Sequence, residues 1–103
     1  MASFGILELD VLRWAGARQI LKHSTPMAQA AKTIEEVGEL VAALNSNDRD
    51  AARDAYGDIL VTLIVGSDML NLSLLECLES AYAEIKDRRG KLNSAGVFVK
   101  EVN

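Results

Sequence analysis

The chain has little from which to build covalent or redox chemistry: one cysteine, one histidine and one proline among 103 residues. A single cysteine excludes an internal disulfide, and Cys77 lies in an apolar helical run, where a thiol acts as a small buried hydrophobe. A single histidine excludes the paired Glu-x-x-His ligands of di-iron carboxylate bundles. His23, beside a helix break, is expected at the surface or in a cap. Basic charge is also scarce, with eleven Lys and Arg against fifteen Asp and Glu and a net charge of −4. Such a chain has no electrostatic footprint for DNA or RNA and is disfavoured at an anionic membrane surface. No apolar run reaches membrane-spanning length, because Gly66, Ser67 and Asp68 interrupt the most apolar one. The N-terminus lacks a basic segment leading into an apolar stretch, so no signal peptide is expected and the cytosol is the expected compartment.

What is present is apolar and helix-periodic. Half of the residues are hydrophobic, which predicts a folded chain, one small domain over residues 1–103. A helical domain this short buries a modest core alone, so a homo-oligomer, dimer or tetramer, is expected. The spacing predicts four helices. The first runs from about Leu7 to Lys22, with Leu9, Leu12, Ala15, Ile20 and Leu21 as its stripe. Thr25 caps the second and Pro26 opens it; it runs to about Leu44, with Ala30, Val37, Leu40, Val41 and Leu44 opposite its acidic face. Asp48 caps the third, from Arg49 to about Leu70. Ser73-Leu74-Leu75-Glu76 reads as a capping box opening the fourth, whose stripe is Leu74, Cys77, Leu78, Ala81, Tyr82 and Ile85. The run Lys86-Asp87-Arg88-Arg89-Gly90 closes that helix. The tail Val97-Phe98-Val99-Lys100 is expected as a short strand or extended arm. The fold class is therefore all-α, a compact four-helix bundle with a short C-terminal tail.

Two acidic clusters interrupt this apolar pattern: Glu35-Glu36-Val37-Gly38-Glu39, and Asp54 with Asp58. At about 100° per residue the three glutamates span about one quadrant of a helix. Asp54 and Asp58, one turn apart, share a face. Brought together, five carboxylates repel one another and raise their own pKa values unless a cation sits among them. A hard divalent ion, Mg²⁺ or Mn²⁺, is the natural counter-charge for an all-oxygen site. Without such convergence, the acids are a solvated helix face and the chain a non-catalytic helical interaction module.

With these motifs placed, the chain resembles the MazG-like nucleoside triphosphate pyrophosphohydrolases, an all-α superfamily whose signature is an E-E-x-x-E helix followed after a turn by an E-x-x-D helix. Glu35-Glu36-Val37-Gly38-Glu39-Leu40 matches the first half and Tyr56-Gly57-Asp58-Ile59-Leu60 supports the second. The likeness extends from Trp14-Ala15 through Lys32 to Lys86-Asp87-Arg88-Arg89-Gly90-Lys91 and Val97-Phe98-Val99-Lys100-Glu101, a C-terminal pattern similar to that of phage-borne members. One position departs: the glutamate expected three residues before Asp58 falls on Ala55, with Asp54 its obvious replacement.

The resemblance implies cleavage of a nucleoside triphosphate to monophosphate and pyrophosphate by water attacking the α-phosphorus. It implies two or more Mg²⁺ or Mn²⁺ ions. Glu36, Glu39 and Asp58, with Asp54 assisting, would hold the first, and Glu35 a second or the proton of the attacking water. Lys32, one turn before Glu36, binds phosphate or pairs with Glu36. Lys86, Arg89 and Lys91 form a triphosphate clamp or merely suit a helix end. Trp14 stacks on a base or fills the core, and Phe98 carries the same two readings. Phage-type members include a subgroup, called MazZ, that consumes dGTP or GTP. A guanine nucleotide is therefore the favoured substrate, with dCTP, dUTP or a modified nucleotide as the alternative, in a host cytoplasm if phage-encoded.

Overall fold

The computed structural model describes residues 2–102. Five helices and a hairpin follow in order: α1 Phe4–Ala17, α2 Ile20–His23, α3 Pro26–Asn45, α4 Arg49–Asp68, α5 Leu74–Ile85, β1 Gly90–Leu92 and β2 Phe98–Lys100. The all-α class holds. The expected first helix divides in two, because Gln19 adopts a left-handed conformation with φ 65° that a continuous right-handed helix cannot contain. The single turn α2 then redirects the chain over the start of α3.

Short polar side chains set the helix starts. Thr25 Oγ1 accepts from the Ala28 amide at 3.0 Å, Asp48 Oδ1 from Ala51 at 3.0 Å and Ser73 Oγ from Glu76 at 3.4 Å, each relieving an otherwise unpaired amide. Ser3, which the periodicity missed, does the same for α1. The capping box on α5 has an unforeseen member. Glu8, buried on α1, accepts from the Ser73 hydroxyl at 3.0 and 3.2 Å and from the Leu75 amide at 3.2 Å. A carboxylate from a distant helix thus meets the electropositive start of α5.

The long helices α3 and α4 form an antiparallel pair, the most extensive packing in the molecule. Thr33 and Thr62 hydrogen bond across it at 2.7 Å, and Gly66 lets α4 come up against Gln29. The buried core is small-sided: Ala15, Ala43, Ala52, Ala55, Ile64 and Val65. Alanines in the seam bring the helix axes close but bury little area. α1 crosses α4 and reaches α5.

The expected bundle core is not completed within one chain. On α3, Met27, Ala30, Ile34, Val37, Val41 and Leu44 repeat at alternating spacings of three and four, and all are exposed, Ile34 at 74%. Tyr56, Leu60 and Leu63 continue that bare layer on α4, and Leu70 lies just beyond its end. Only the first turns of α5 pack; its expected stripe fails at Leu78, Tyr82 and Ile85, which stay exposed. The radius of gyration is 16.1 Å, against about 13 Å for a compact chain of this length.

The basic run ends differently from expectation. α5 stops at Ile85, and Gly90 opens β1 instead of capping a helix. β1 and β2 pair antiparallel, Gly90 opposite Lys100 and Leu92 opposite Phe98. A side chain at Gly90 would run into the Val99 carbonyl and the Phe98 ring, so the residue serves strand contact. Asn93 Oδ1 accepts from Ala95 and Val97 amides to turn the loop. The tail is therefore a strand. Among the described residues no helix is long and apolar enough to cross a membrane.

Candidate active site

The acid cluster of α3 is brought together as its spacing requires. Glu35, Glu36 and Glu39 each offer a carboxylate oxygen, and these lie within 4.8 Å of one another. Glu36 is at their centre and only 6% exposed. One of its oxygens is 3.4 Å from Lys32 Nζ. The other, Oε2, is buried without a hydrogen-bond partner, the sole side-chain atom so placed among the described residues. A buried carboxylate oxygen with no donor is unfavourable by itself, and a cation is a partner that would satisfy it.

Two of the side chains feel this crowding. Glu39 is held above the ordinary glutamate range, first by a side-chain hydrogen bond with Glu36, then by Glu36's charge, burial and Glu35's charge, with Lys32 opposing. Two carboxylates can hydrogen bond only by sharing a proton, which is why the shift is upward. Lys32 is raised above its usual value by its hydrogen bond to Glu35, at 3.2 Å, and by Glu36. It stays charged at neutral pH and cannot act as a base there. Both expected roles of Lys32 stay open, since the same ammonium pairs with two glutamates and faces a cavity.

That cavity, of about 860 Å³, lies where α1 and α2 pass over the α3–α4 pair. Glu36 and Asp58 line it from opposite helices, with Lys32, Trp14 and Val65 among the other walls. Asp58 is exposed and shares the cavity wall with Glu36, but only the three glutamates, not the five expected carboxylates, cluster. Asp54 is exposed and belongs neither to the cavity wall nor to the three-glutamate group. Ala55, where the family pattern has glutamate, is 3% exposed and packed in the core. A small side chain is what this close-packed position accommodates.

Trp14 settles as a cavity wall that keeps 45% of its surface exposed, not as a core residue. Arg18 and Lys32 line this cavity, but the basic residues of the C-terminal run do not. Arg89 and Lys91 line a separate depression on the hairpin with Phe98 and Val99, and Lys86 caps α5 in neither cavity. His23, expected at the surface or in a cap, lines the main cavity, as do Ser24, Gln29 and Thr62. Periodicity could not have singled out His23 and Ser24, because α2 is redirected by the unforeseen break at Gln19.

The fold defines the class first. It matches that of the cyanophage S-2L MazG-like pyrophosphohydrolase bound to dGDP and three catalytic Mn²⁺ ions per active site, with a TM-score of 0.76 and 22% identity. The match covers 99% of this chain and 100% of that one, so both share an all-α MazG-like architecture. The family model "MazG nucleotide pyrophosphohydrolase domain" matches residues 24–92, and the chain belongs to that family. An uncharacterized 18.2 kDa protein from the rep-hol intergenic region of Haemophilus phage HP1 is 34% identical over 65 residues, 63% of this chain. The matched part spans 40% of that relative's length.

Proposed function

We propose that this chain is a metal-dependent nucleoside triphosphate pyrophosphohydrolase, converting an NTP or dNTP to the monophosphate and pyrophosphate. The observation that carries this reading is the partnerless, buried Oε2 of Glu36 beside two further glutamates and above a cavity shared with Asp58. Family membership and the Mn²⁺ and dGDP of the cyanophage protein support it.

Glu36, Glu39 and Asp58 are the residues that would hold the first Mg²⁺ or Mn²⁺, with Asp54 assisting, and Glu35 would serve a second ion. Bound there, such ions neutralise phosphate charge and acidify coordinated water. The remaining work falls to the chain. Lys32, charged and half-exposed, donates to phosphate oxygens. Glu35, at the exposed edge of the cluster, accepts the proton of the attacking water when it is not holding an ion. Trp14 and the apolar wall of Ile20, Val61 and Val65 receive the nucleoside and exclude water from it. Such a displacement asks mainly for positioning and charge neutralisation, which these residues supply.

The favoured substrate is dGTP or GTP, as the dGDP bound to the cyanophage protein suggests. The chain works as a homo-oligomer: the bare layer of α3 and α4, with its heptad-like spacing, fits a second copy of itself. Lys86, Arg89 and Lys91 would then serve as a triphosphate clamp by reaching a neighbouring protomer's cavity.

The deciding experiment is incubation with each common NTP and dNTP plus Mg²⁺ or Mn²⁺, with resolution of the products. Monophosphate with pyrophosphate is expected. Glu36→Gln should lower turnover by about a hundredfold or more while keeping helical circular dichroism. Diphosphate with orthophosphate, or a fully active Glu36→Gln, overturns the reading.

A further inference from the structure

The cavity has two chemically different ends. Glu36 and Asp58 mark the acidic one. Seven residues away along each helix, in antiparallel sense, lie Gln29 on α3 and Val65 on α4, both cavity walls. At 1.5 Å per residue that is about 10 Å, comparable to the span of one nucleoside from its 5′ phosphorus to the outer edge of its base. The far end carries no acid. Its polar groups are Gln29, Ser24 and His23, and Arg18, Gln19 and Thr62 also line the cavity.

Gln29 is held in place on two sides. Its Nε2 donates to Ser24 Oγ at 3.0 Å. Its Cβ lies against α4 at Gly66, where an added Cβ would stand 3.3 Å away. A Cβ at Gly66 would require Gln29 to give way by a few tenths of an ångström. A long, flexible amide fixed in this way has already lost the rotamer freedom that binding would otherwise take from it. Its carbonyl Oε1 keeps both lone pairs, and Ser24, having accepted one hydrogen bond, still has its own O–H to donate.

We propose that Gln29, oriented by Ser24 and seated on Gly66, reads the base of the bound nucleotide and selects guanine. This rests on the nucleotide-hydrolase reading given above. Guanine presents two adjacent donors, N1–H and the 2-amino group, which converge on one carbonyl oxygen, with O6 beside them as an acceptor for a hydroxyl. Adenine and cytosine place a ring acceptor where guanine has N1–H, opposing the lone pairs of Oε1. Uracil offers one donor and no second. Sites built to satisfy a hydrogen-bonding edge reject the analogue that leaves a buried group unpaired.

Binding can be read without turnover, because Trp14 is the one tryptophan of the chain and lines the cavity. Its fluorescence is titrated with dGMP, dAMP, dCMP and dUMP at fixed Mg²⁺. The wild-type protein should bind dGMP at least about tenfold more tightly than the others. Gln29→Leu should remove that preference by weakening dGMP alone, and Gln29→Glu, which keeps the acceptor, should retain it. Ser24→Ala, a milder change that leaves Gln29 intact, should relax the preference several-fold. A wild-type protein without preference, or one whose preference survives Gln29→Leu and Ser24→Ala, overturns the proposal. Product analysis tests hydrolysis separately, so a guanine-selective protein that releases no pyrophosphate would sink the enzyme reading while leaving Gln29's role standing.

Discussion

Glu36 and Glu39 show how a few ångströms turn ordinary glutamates into a cluster that works against the fold. Their carboxylates, with Glu35, lie within 4.8 Å of one another, and Glu39 is pushed up chiefly by its hydrogen bond with Glu36. A raised acid contributes stability that is fully present below the usual glutamate pKa and is lost as pH rises through the raised value. The metal-free protein should therefore lose this contribution on going from mildly acidic to neutral pH. Glu39→Gln should give a small rise in Tm for the metal-free protein at pH 7 and flatten that dependence. It should also diminish the Tm increase that Mn²⁺ produces in the wild type, since a ligand that binds the folded state stabilises it by mass action. Thermal melts with and without Mn²⁺ across pH 4.5–7.5 check both signs. A wild-type cluster that melts more stably as pH rises through this range, owing to Glu39, would contradict the assignment.

Among the elements, α5 and its hairpin are the least secured. Only the opening of α5 packs on the body, and there the buried Glu8 binds Ser73 and the Leu75 amide. Glu8→Ala should destabilise the chain by about 2 kcal/mol, as expected for lost hydrogen bonds to a buried charge. Denaturant melts measure it, and amide exchange should show the loss concentrated in α5 rather than in the α3–α4 pair. The caps at Thr25, Asp48 and Ser73 were legible in the sequence because capping is local, decided within four residues. Glu8 was not legible, because its partners lie 65 and 67 residues away. The split at Gln19 was also hidden. Nothing in Arg18-Gln19-Ile20 announces a left-handed residue, and without that bend the Ser24, Gln29 and His23 end of the cavity has no roof.

At the scale of the molecule, the chain is an open layer whose apolar side is turned outward. An aliphatic stripe through Met27, Ile34 and Val41, together with Leu60 and Leu63 of α4, lies bare. Ile34→Asp would place a charge in the middle of it. The wild type should sediment as a dimer or larger, and Ile34→Asp should shift it toward the 11.2 kDa monomer, with analytical ultracentrifugation as the readout. A wild-type protein that is monomeric at micromolar concentration would refute the expected assembly. Covering this layer would also explain why the monomer's own core, built largely of alanines, is so thin.

The sequence by itself determined the helical class, three of the helix starts and the acid triad of α3, because periodicity, capping and an i, i+1, i+4 spacing act within a turn or two of helix. It also carried the family likeness. Tertiary structure alone decided which carboxylates meet. It put Asp58 on the same cavity wall as Glu36 and left Asp54 exposed outside it. It buried Ala55 in the seam, carried the basic hairpin away from the acids and turned Trp14 into a cavity wall. Those outcomes depend on how helices cross and where the chain bends, and such geometry is set by the packing of residues far apart in sequence.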